Sequence, residues 1–398
     1  MYRLGIDTRR RRFADVVMVL ENCGYPLDSR VRNEAESLVE SGLTVEVLAP
    51  RERGRPVRES IGGVSVTRFP LPEGDGKLLG TALEYVVAFC VICWAVLIRL
   101  ARSPNGTLHV HNPPDFFFPL LLLARWRGWT TVFDHHDDVA GMLRAKVGRP
   151  SPLERLLEWM RDQSAQVTDL TIATNDTQRK LLESAARTVA IVRNSPPAWF
   201  ADHRASPAAG RVRLVFLGEL GAQDGVERAV DIISLLIKER QLDVELLIIG
   251  DGPRRGAVEE RARRLGIETR VTVTGWVPYE DVPALLASAH IGLDTAPLTE
   301  ANHGSTMVKI LEYLAVGLPV VATALRETKL SGGGAVITVG RDCAEAFAGR
   351  IAELANDTHA WSALAERAQA RGNDLRWDTE AAVLVAAYSG LHRAGKLG

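Results

Sequence analysis

Cysteine is scarce in this chain, with four in 398 residues: Cys23, Cys90, Cys93 and Cys343. Thiols so few and scattered exclude a disulfide scaffold and fit a reducing compartment. Cys90 and Cys93 form a C-x-x-C inside an apolar helical run, which reads as two core thiols ahead of redox or metal work. An excess of one charge is also missing. The 48 basic and 49 acidic residues leave a formal charge of −1, so nucleic acid is not an expected partner. Gly and Pro, 34 and 19 residues, are too few for a collagen-like or low-complexity chain. The longest uncharged apolar run, YVVAFCVICWAVLI at 85–98, has fourteen residues, short of the ~20 that a bilayer span needs. Lys77 and Glu84 precede it, and Arg99 and Arg102 follow. A buried helix is the first reading, with a membrane-leaning face and a true span as alternatives. Arg9–Arg12 have the charge of a secretion signal, but the apolar stretch after them, Val16–Leu20, is shorter than the ~7–15 residues required. The expectation is a cytoplasmic protein. No P-loop, H-E-x-x-H or G-x-S-x-G occurs.

At ~100–200 residues per domain the length predicts two domains. Short apolar runs that read as buried parallel strands recur at 16–20, 44–49, 108–111, 130–135, 170–174 and 189–194. Helical patterns at 28–41, 114–127, 152–167 and 176–185 separate most of them. A polar stretch at 202–211 reads as a linker. The pattern then restarts, with strands at 213–218, 244–250, 270–275, 290–294, 319–323 and 335–339. Helices are expected at 226–240, 254–265, 280–288, 306–316 and 343–355. The tail, 360–371 and 379–391, reads as helical. The fold class is therefore α/β, two Rossmann-like doubly wound domains with a ligand expected at the strand carboxyl ends. The expected division is 1–200, 201–375, and a C-terminal helix within 376–398 packing back toward the first domain.

One stretch concentrates chemistry. In HGSTMVKILEYLAVGLPVVAT (303–323), Ser305 or Thr306 is the expected helix N-cap. Backbone N–H groups at such an end make an anion site. Lys309, one turn in, can reach a phosphate, and Glu312 follows on the same face. A carboxylate of this kind accepts hydrogen bonds from ribose hydroxyls. The plainer alternative is a surface Lys–Glu pair contributing about 0.2–0.5 kcal/mol, and spacing alone leaves both open. G-D-G-P-R-R-G at 250–256 misses the dinucleotide fingerprint by one position.

The motif S-T-M-x-K-I-x-E-Y-x-A-x-G-x-P-V-V resembles the donor-binding motif of the retaining, two-domain glycosyltransferases of family 4. GELGAQDGVERAV (218–230), IIGDGP (248–253), TGWVP (274–278) and LRETKLSGGGA (325–335) are similar to the family in order and spacing. So are DSRVRNEAESLVESGLTVEVLAP (28–50), HVHNPPD (109–115), VFDHHDD (132–138) and VRNSPP (192–197). The resemblance extends to bacterial members that build surface polysaccharides or glycolipids. The resemblance implies a GT-B fold, two Rossmann-like domains facing across a cleft, and transfer of a sugar from a nucleoside diphosphate, UDP foremost. It implies that Glu312 holds the ribose and that Ser305, Thr306 and Met307 cradle the diphosphate with Lys309. It further implies that Trp276 and Val277 read the base and that Gly218 and Gly221 let backbone approach the phosphates. Neither a metal nor another cofactor is implied, since the nucleotide sugar is a co-substrate. The acceptor would be a lipid-linked or small-molecule alcohol, with peripheral membrane contact through 78–101 at the inner face of the cytoplasmic membrane.

Two positions depart from the family. Gly304 stands where many members carry a Glu that touches the donor sugar, and Glu219 and Asp224 stand where many carry Arg and Lys. On the acceptor side the resemblance matches His136 and Asp137 in DHHDD, and His136 joins Lys309 as a candidate catalytic residue. A satisfied histidine at a strand end and a metal site are the alternatives there. Asp28 and Arg30 are further acceptor-side candidates, although helix capping alone could explain Asp28. A UDP-sugar 2-epimerase and a non-catalytic nucleotide-sugar binder remain as rival readings.

Overall fold

The computed structural model describes residues 14–71, 78–206 and 210–394. Arg9–Arg12, Lys77 and part of the 202–211 stretch lie outside them. The chain forms two compact units. One runs to Arg193 and takes in the chain from Ala381 onward, and the other is Asn194–Glu380.

The first unit contains β1 (Val16–Val19), α1 (Ser29–Glu40), β2 (Val45–Pro50), β3 (Arg58–Ile61), β4 (Val64–Phe69), α2 (Leu78–Arg102), β5 (Thr107–His111), α3 (Phe118–Trp126), β6 (Thr130–His135), α4 (Val139–Val147), α5 (Pro152–Val167), β7 (Leu170–Ala173), α6 (Asp176–Leu182) and β8 (Val189–Ile191). Its sheet has the order β3-β4-β2-β1-β5-β6-β7-β8. Every pairing is parallel except β3 with β4. The six expected strands are present. The β3–β4 hairpin is an addition at the sheet edge, where β3 is half solvated and lacks the continuous apolar run of a buried strand. Strand order reverses between β1 and β5, so the loops after these strands and after β6 flank the place where such sheets bind ligands.

α2 is neither wholly buried nor a span. Ala88, Ile92, Val96 and Leu100 repeat every four residues and are buried in the core, while Val86, Trp94 and Leu97 are exposed. Cys90 is exposed and Cys93 half-buried, both free, so the expected pair of core thiols is corrected: only Cys93 leans on the core. No helix among the described residues is long and apolar enough to cross a membrane.

The second unit contains β9 (Val212–Leu217), α7 (Val226–Lys238), β10 (Val244–Ile249), α8 (Arg255–Arg264), β11 (Val271–Val273), α9 (Val282–Ala287), β12 (Ile291–Asp294), α10 (Glu300–Gly304), α11 (Val308–Ala315), β13 (Val320–Thr323), α12 (Arg326–Gly332), β14 (Val336–Val339), α13 (Ala344–Ala355) and α14 (Thr358–Asp374). Its all-parallel sheet runs β11-β10-β9-β12-β13-β14 and reverses between β9 and β12. The last helix, α15 (Trp377–Ala394), lies mostly in the first unit. There the Tyr388 hydroxyl meets His109 Nδ1 at 2.8 Å.

The loop after β9 depends on one glycine. Gly225 has φ +65°, and a Cβ there would lie 2.2 Å from the Thr295 carbonyl oxygen. Only glycine fits, which explains its place in Q-D-G. Gly225→Ala is expected to destabilise the chain by more than about 1 kcal/mol, because a left-handed alanine alone costs about 1–2. Urea unfolding checks this, and an unchanged midpoint would contradict it.

Candidate active site

The site in the second unit is built around α11. Tyr313, fully buried, accepts a hydrogen bond from Leu217 N–H (2.8 Å) and donates its own to the Leu293 carbonyl (3.1 Å). It thereby fixes α11 to the ends of β9 and β12, on either side of the strand-order reversal. Gly292 makes room for its ring, since a Cβ there would sit 2.6 Å from Tyr313 Cδ2.

Lys309 and Glu312 project from the helix held in this way, and both are buried. Lys309 Nζ lies 2.9 Å from Asp224 Oδ1 and 4.2 Å over the Phe216 ring. A Cβ on Gly218 would be 3.3 Å from Lys309 Nζ, so the lysine end lies against the bare backbone after β9. Glu312 Oε1 accepts from the Tyr279 hydroxyl at 2.9 Å. Tyr279 follows the Trp276-Val277-Pro278 loop and packs on Trp199 and Phe200. Val277, Tyr279 and Met307 rest on one apolar cluster with Ile310 and Leu311, whereas the Trp276 side chain is exposed. Burial raises Glu312 to about 7, against the opposing pull of the Tyr279 hydrogen bond and Lys309. The surface-pair alternative fails, because neither partner is on the surface.

The start of this helix differs from the expectation. Ser305 and Thr306 do not cap it; Met307 is the N-cap and makes no side-chain capping bond. Ser305 instead closes α10, its hydroxyl donating to the Ala301 carbonyl and its N–H to the Asn302 carbonyl. A short helix immediately upstream takes the serine that would otherwise cap the next one. Gly221 begins the turn that carries Asp224 back toward Lys309.

In the first unit, Asp28 is the N-cap of α1, accepting from Val31 N–H at 3.0 Å. Arg30 is corrected. It is buried, and its Nε and Nη2 each lie 2.7 Å from the two oxygens of Asp134, while Nη1 donates to the Val192 carbonyl. A guanidinium held on both faces by its own chain does not present itself to a ligand. His136 Nδ1 lies 3.3 Å from Asp134 Oδ2. The backbone N–H groups of His136 and Asp137 both donate to Asn112 Oδ1, at 2.8 and 3.2 Å. Asp138 caps α4, and His135 is buried and held neutral by burial, its pKa lowered to about 3. The DHHDD run thus divides into separate tasks and does not converge as a ligand set. Glu34, His109, His111 and Asp134 do converge, ligand atoms within 4.8 Å of one another. Arg30 Nη2, however, already lies 3.1 Å from Glu34 and 2.7 Å from Asp134, so a cation occupies the carboxylates.

Residues 27–194 match the model of the glycosyl transferase 4-like domain, and residues 211–357 that of glycosyl transferases group 1. The chain belongs to the GT-B glycosyltransferases. This glycosyltransferase is 26% identical over 355 residues to the 2-deoxystreptamine glucosyltransferase of Streptomyces kanamyceticus, covering 83% of this chain and 81% of that one. It is 32% identical over 123 residues to the GDP-mannose-dependent alpha-(1-6)-phosphatidylinositol dimannoside mannosyltransferase of Mycobacterium tuberculosis, covering 31% of this chain and 29% of that one. Its fold matches sucrose-phosphate synthase from Thermosynechococcus elongatus (TM-score 0.72, 16% identity, 95% of this chain and 99% of that one). It also matches Anabaena HepE in complex with UDP and glucose (TM-score 0.70, 15% identity, 96% and 100%).

Three residues near the candidate groups were not singled out from the sequence: Asp294 and Tyr279 in the second unit and Asn112 in the first. Asp294 is fully buried beside Lys309, and burial raises its pKa. Asp294 ends β12 and Asn112 follows β5, a signal that could have marked them, whereas Tyr279 lies six residues past β11 and carries no such mark.

The raised Glu312 makes stability depend on pH. Between the ordinary 4.5 and about 7 the folded chain keeps a proton that the unfolded chain has lost. The contribution is therefore complete below 4.5 and gone above about 7. Glu312→Gln, neutral throughout, should flatten this descent. Urea unfolding at about pH 5 and about pH 8 measures it, at about 1.4 kcal/mol for each pH unit separating the folded and unfolded pKa. Equal slopes in both proteins would contradict the assignment.

Proposed function

We propose that this glycosyltransferase moves a hexosyl or N-acetylhexosaminyl group from a UDP-sugar to an acceptor hydroxyl with retention, without a metal or other cofactor. The observation that carries this reading is the joint placement of Lys309 at the Gly218 backbone and of buried Glu312 beside the 276–279 loop. Glu312 takes the ribose hydroxyls, and the Trp276–Val277 backbone reads the base. Ser305, Thr306, Met307, Gly218 and Gly221 line the diphosphate. HepE, a structural neighbour, has been seen with UDP-glucose, which favours UDP as the carrier. The mycobacterial relative is named for GDP-mannose, which makes GDP the carrier to test against it.

The chemistry asks for charge stabilisation on the departing diphosphate. Lys309 supplies it after exchanging Asp224 for phosphate oxygens. Asp224 is then an internal counter-ion: it holds the lysine when no donor is bound and competes with the donor for it. In a front-face displacement the sugar–phosphate bond opens early and the acceptor oxygen adds on the same face. His136 and Asp137 stand on the acceptor side, where an imidazole can hydrogen-bond the incoming hydroxyl.

For the acceptor, a membrane-held alcohol in glycolipid or surface-polysaccharide assembly, met at the cytoplasmic face, is the primary reading. Trp94 on α2 and Trp126 on α3 are 68% and 79% exposed and line one apolar groove with Leu97, Ile98 and Arg127. Tryptophan with flanking arginine suits the headgroup level of a bilayer. A soluble cyclitol or sugar alcohol is the second reading, favoured by the breadth of the match to the 2-deoxystreptamine enzyme.

Lys309→Ala should lower kcat by about 10²–10³-fold, the loss of one such stabilising donor, with a smaller effect on donor KM. Glu312→Ala should weaken UDP binding by about 1.5–3 kcal/mol, and Asp224→Asn should tighten it. Calorimetry with UDP and initial rates on a panel of UDP- and GDP-sugars test these. Unchanged values in the Lys309 and Glu312 variants would contradict the site. Flotation with anionic vesicles tests the acceptor reading. The wild type should float and the Trp94→Ser, Trp126→Ser double variant should not; a wild type that stays soluble would favour the soluble acceptor.

A further inference from the structure

We propose that Asp134 is the positioning residue for His136: its Oδ2 receives the imidazole Nδ1–H, Arg30 and His111 hold it in place, and Glu34 behind it carries a proton. This rests on the reading that His136 faces the acceptor, and it extends that reading to how the ring is set.

The geometry is convergent. Asp134 Oδ2 meets Arg30 Nε at 2.7 Å, His111 Nδ1 at 3.0 Å and His136 Nδ1 at 3.3 Å. A carboxylate only accepts, so both imidazoles present Nδ1–H to it. Nε2 of His136 is then the nitrogen left to accept a proton or a hydrogen bond. Asp134 is the penultimate residue of β6 and His136 follows directly after its end, which brings the ring back within reach of the Asp134 carboxylate. Asn112 adds the second restraint by accepting from the His136 backbone N–H.

Charge counting around Arg30 points to a proton on Glu34. Arg30, Asp134 and Glu34 are all buried, and with both carboxylates ionised the group would carry a surplus negative charge. Arg30 gives two of its nitrogens to Asp134 and the third to the Val192 carbonyl. Neither Glu34 oxygen accepts a well-aligned hydrogen bond: its closest cation, Arg30 Nη2 at 3.1 Å from Oε1, is already committed to Asp134, and His109 Nε2 and His111 Nδ1 stand 3.8 and 4.0 Å from Oε2. A buried carboxylate that shares its one close cation with a second carboxylate is expensive, and a proton removes the expense. The charges around His136 agree. Burial and the Asp134 charge hold Glu34 well above the usual carboxylate range. Against burial, Arg30, His111 and His136 hold Asp134 well below it. Burial pulls His109 well below the ordinary imidazole value and His111 below it. Burial also opposes a charge on His136, but Asp134 overcomes it and raises its pKa. Asp28, Asp137, Asp115 and His135 are further titratable groups near these rings, with Arg161 and Asp138 acting on Asp115, and Tyr388 of α15 stands at His109.

The test is nitrogen-15 NMR of histidine-labelled full-length chain, which needs no transfer activity. In the wild type, neutral His136 should show the Nδ1–H tautomer; the Nε2–H tautomer would overturn the proposal. Asp134→Asn should lower the His136 titration midpoint by about 1–3 pH units, as loss of an adjacent opposite charge does. Glu34→Gln should leave that midpoint in place, because glutamine copies a protonated acid. A fall in Glu34→Gln as large as in Asp134→Asn would show an ionised Glu34 and overturn the proton assignment, as would a stoichiometric metal in the purified protein. Should Asp134→Asn fail to fold, the wild-type tautomer and Glu34→Gln still decide. Transfer assays add that Asp134→Asn lowers kcat and moves its pH profile with donor KM little changed. A correct tautomer without any transfer would refute the function and leave the positioning intact.

Discussion

The Tyr313 hydroxyl is the interaction on which the arrangement of the second unit depends. A buried phenol must satisfy its oxygen, and this one does so on the ends of two neighbouring strands, accepting from Leu217 and donating to Leu293. Each such bond contributes only about 1 kcal/mol, so its importance lies in placement more than in energy. It pins α11 at the point where strand order reverses, and the pinned helix carries Lys309 on one turn and Glu312 on the next. Gly292 is the complementary feature, a missing side chain beneath the ring.

In each unit one buried cation of the candidate site lies between two carboxylates, with different consequences. Arg30 meets Asp134 with two parallel bonds and also touches Glu34, a rigid arrangement suited to holding other groups still. Lys309 meets Asp224 by one contact and has Asp294 nearby. An ammonium on a flexible stem can exchange that contact for a phosphate. The residue type thus separates a fixed scaffold from a transferable charge. The glycine after β9 brings bare backbone up to the lysine.

Much of the fold was legible in the sequence, because strands covered on both faces leave uninterrupted apolar runs. All six strands expected in the second unit occur, parallel and in place. The β3–β4 hairpin was not legible, since β3 alternates between exposed and half-buried positions and has no such run. Within the site, Glu312 and Lys309 were readable from helical spacing and motif. Arg30 was not: its partner Asp134 lies 104 positions away, and no local pattern reports such a pairing. The helix start was misread because Ser305 satisfies the ordinary capping rule yet belongs to the preceding turn.

The most direct measurement is a crystal structure of the chain with UDP. The account predicts the ribose hydroxyls on the Glu312 carboxylate, the diphosphate against Gly218 with Lys309 turned from Asp224 toward it, and the base beside the Trp276–Val277 backbone. UDP bound elsewhere, or bound here with Glu312 untouched and the Lys309–Asp224 contact intact, would contradict it.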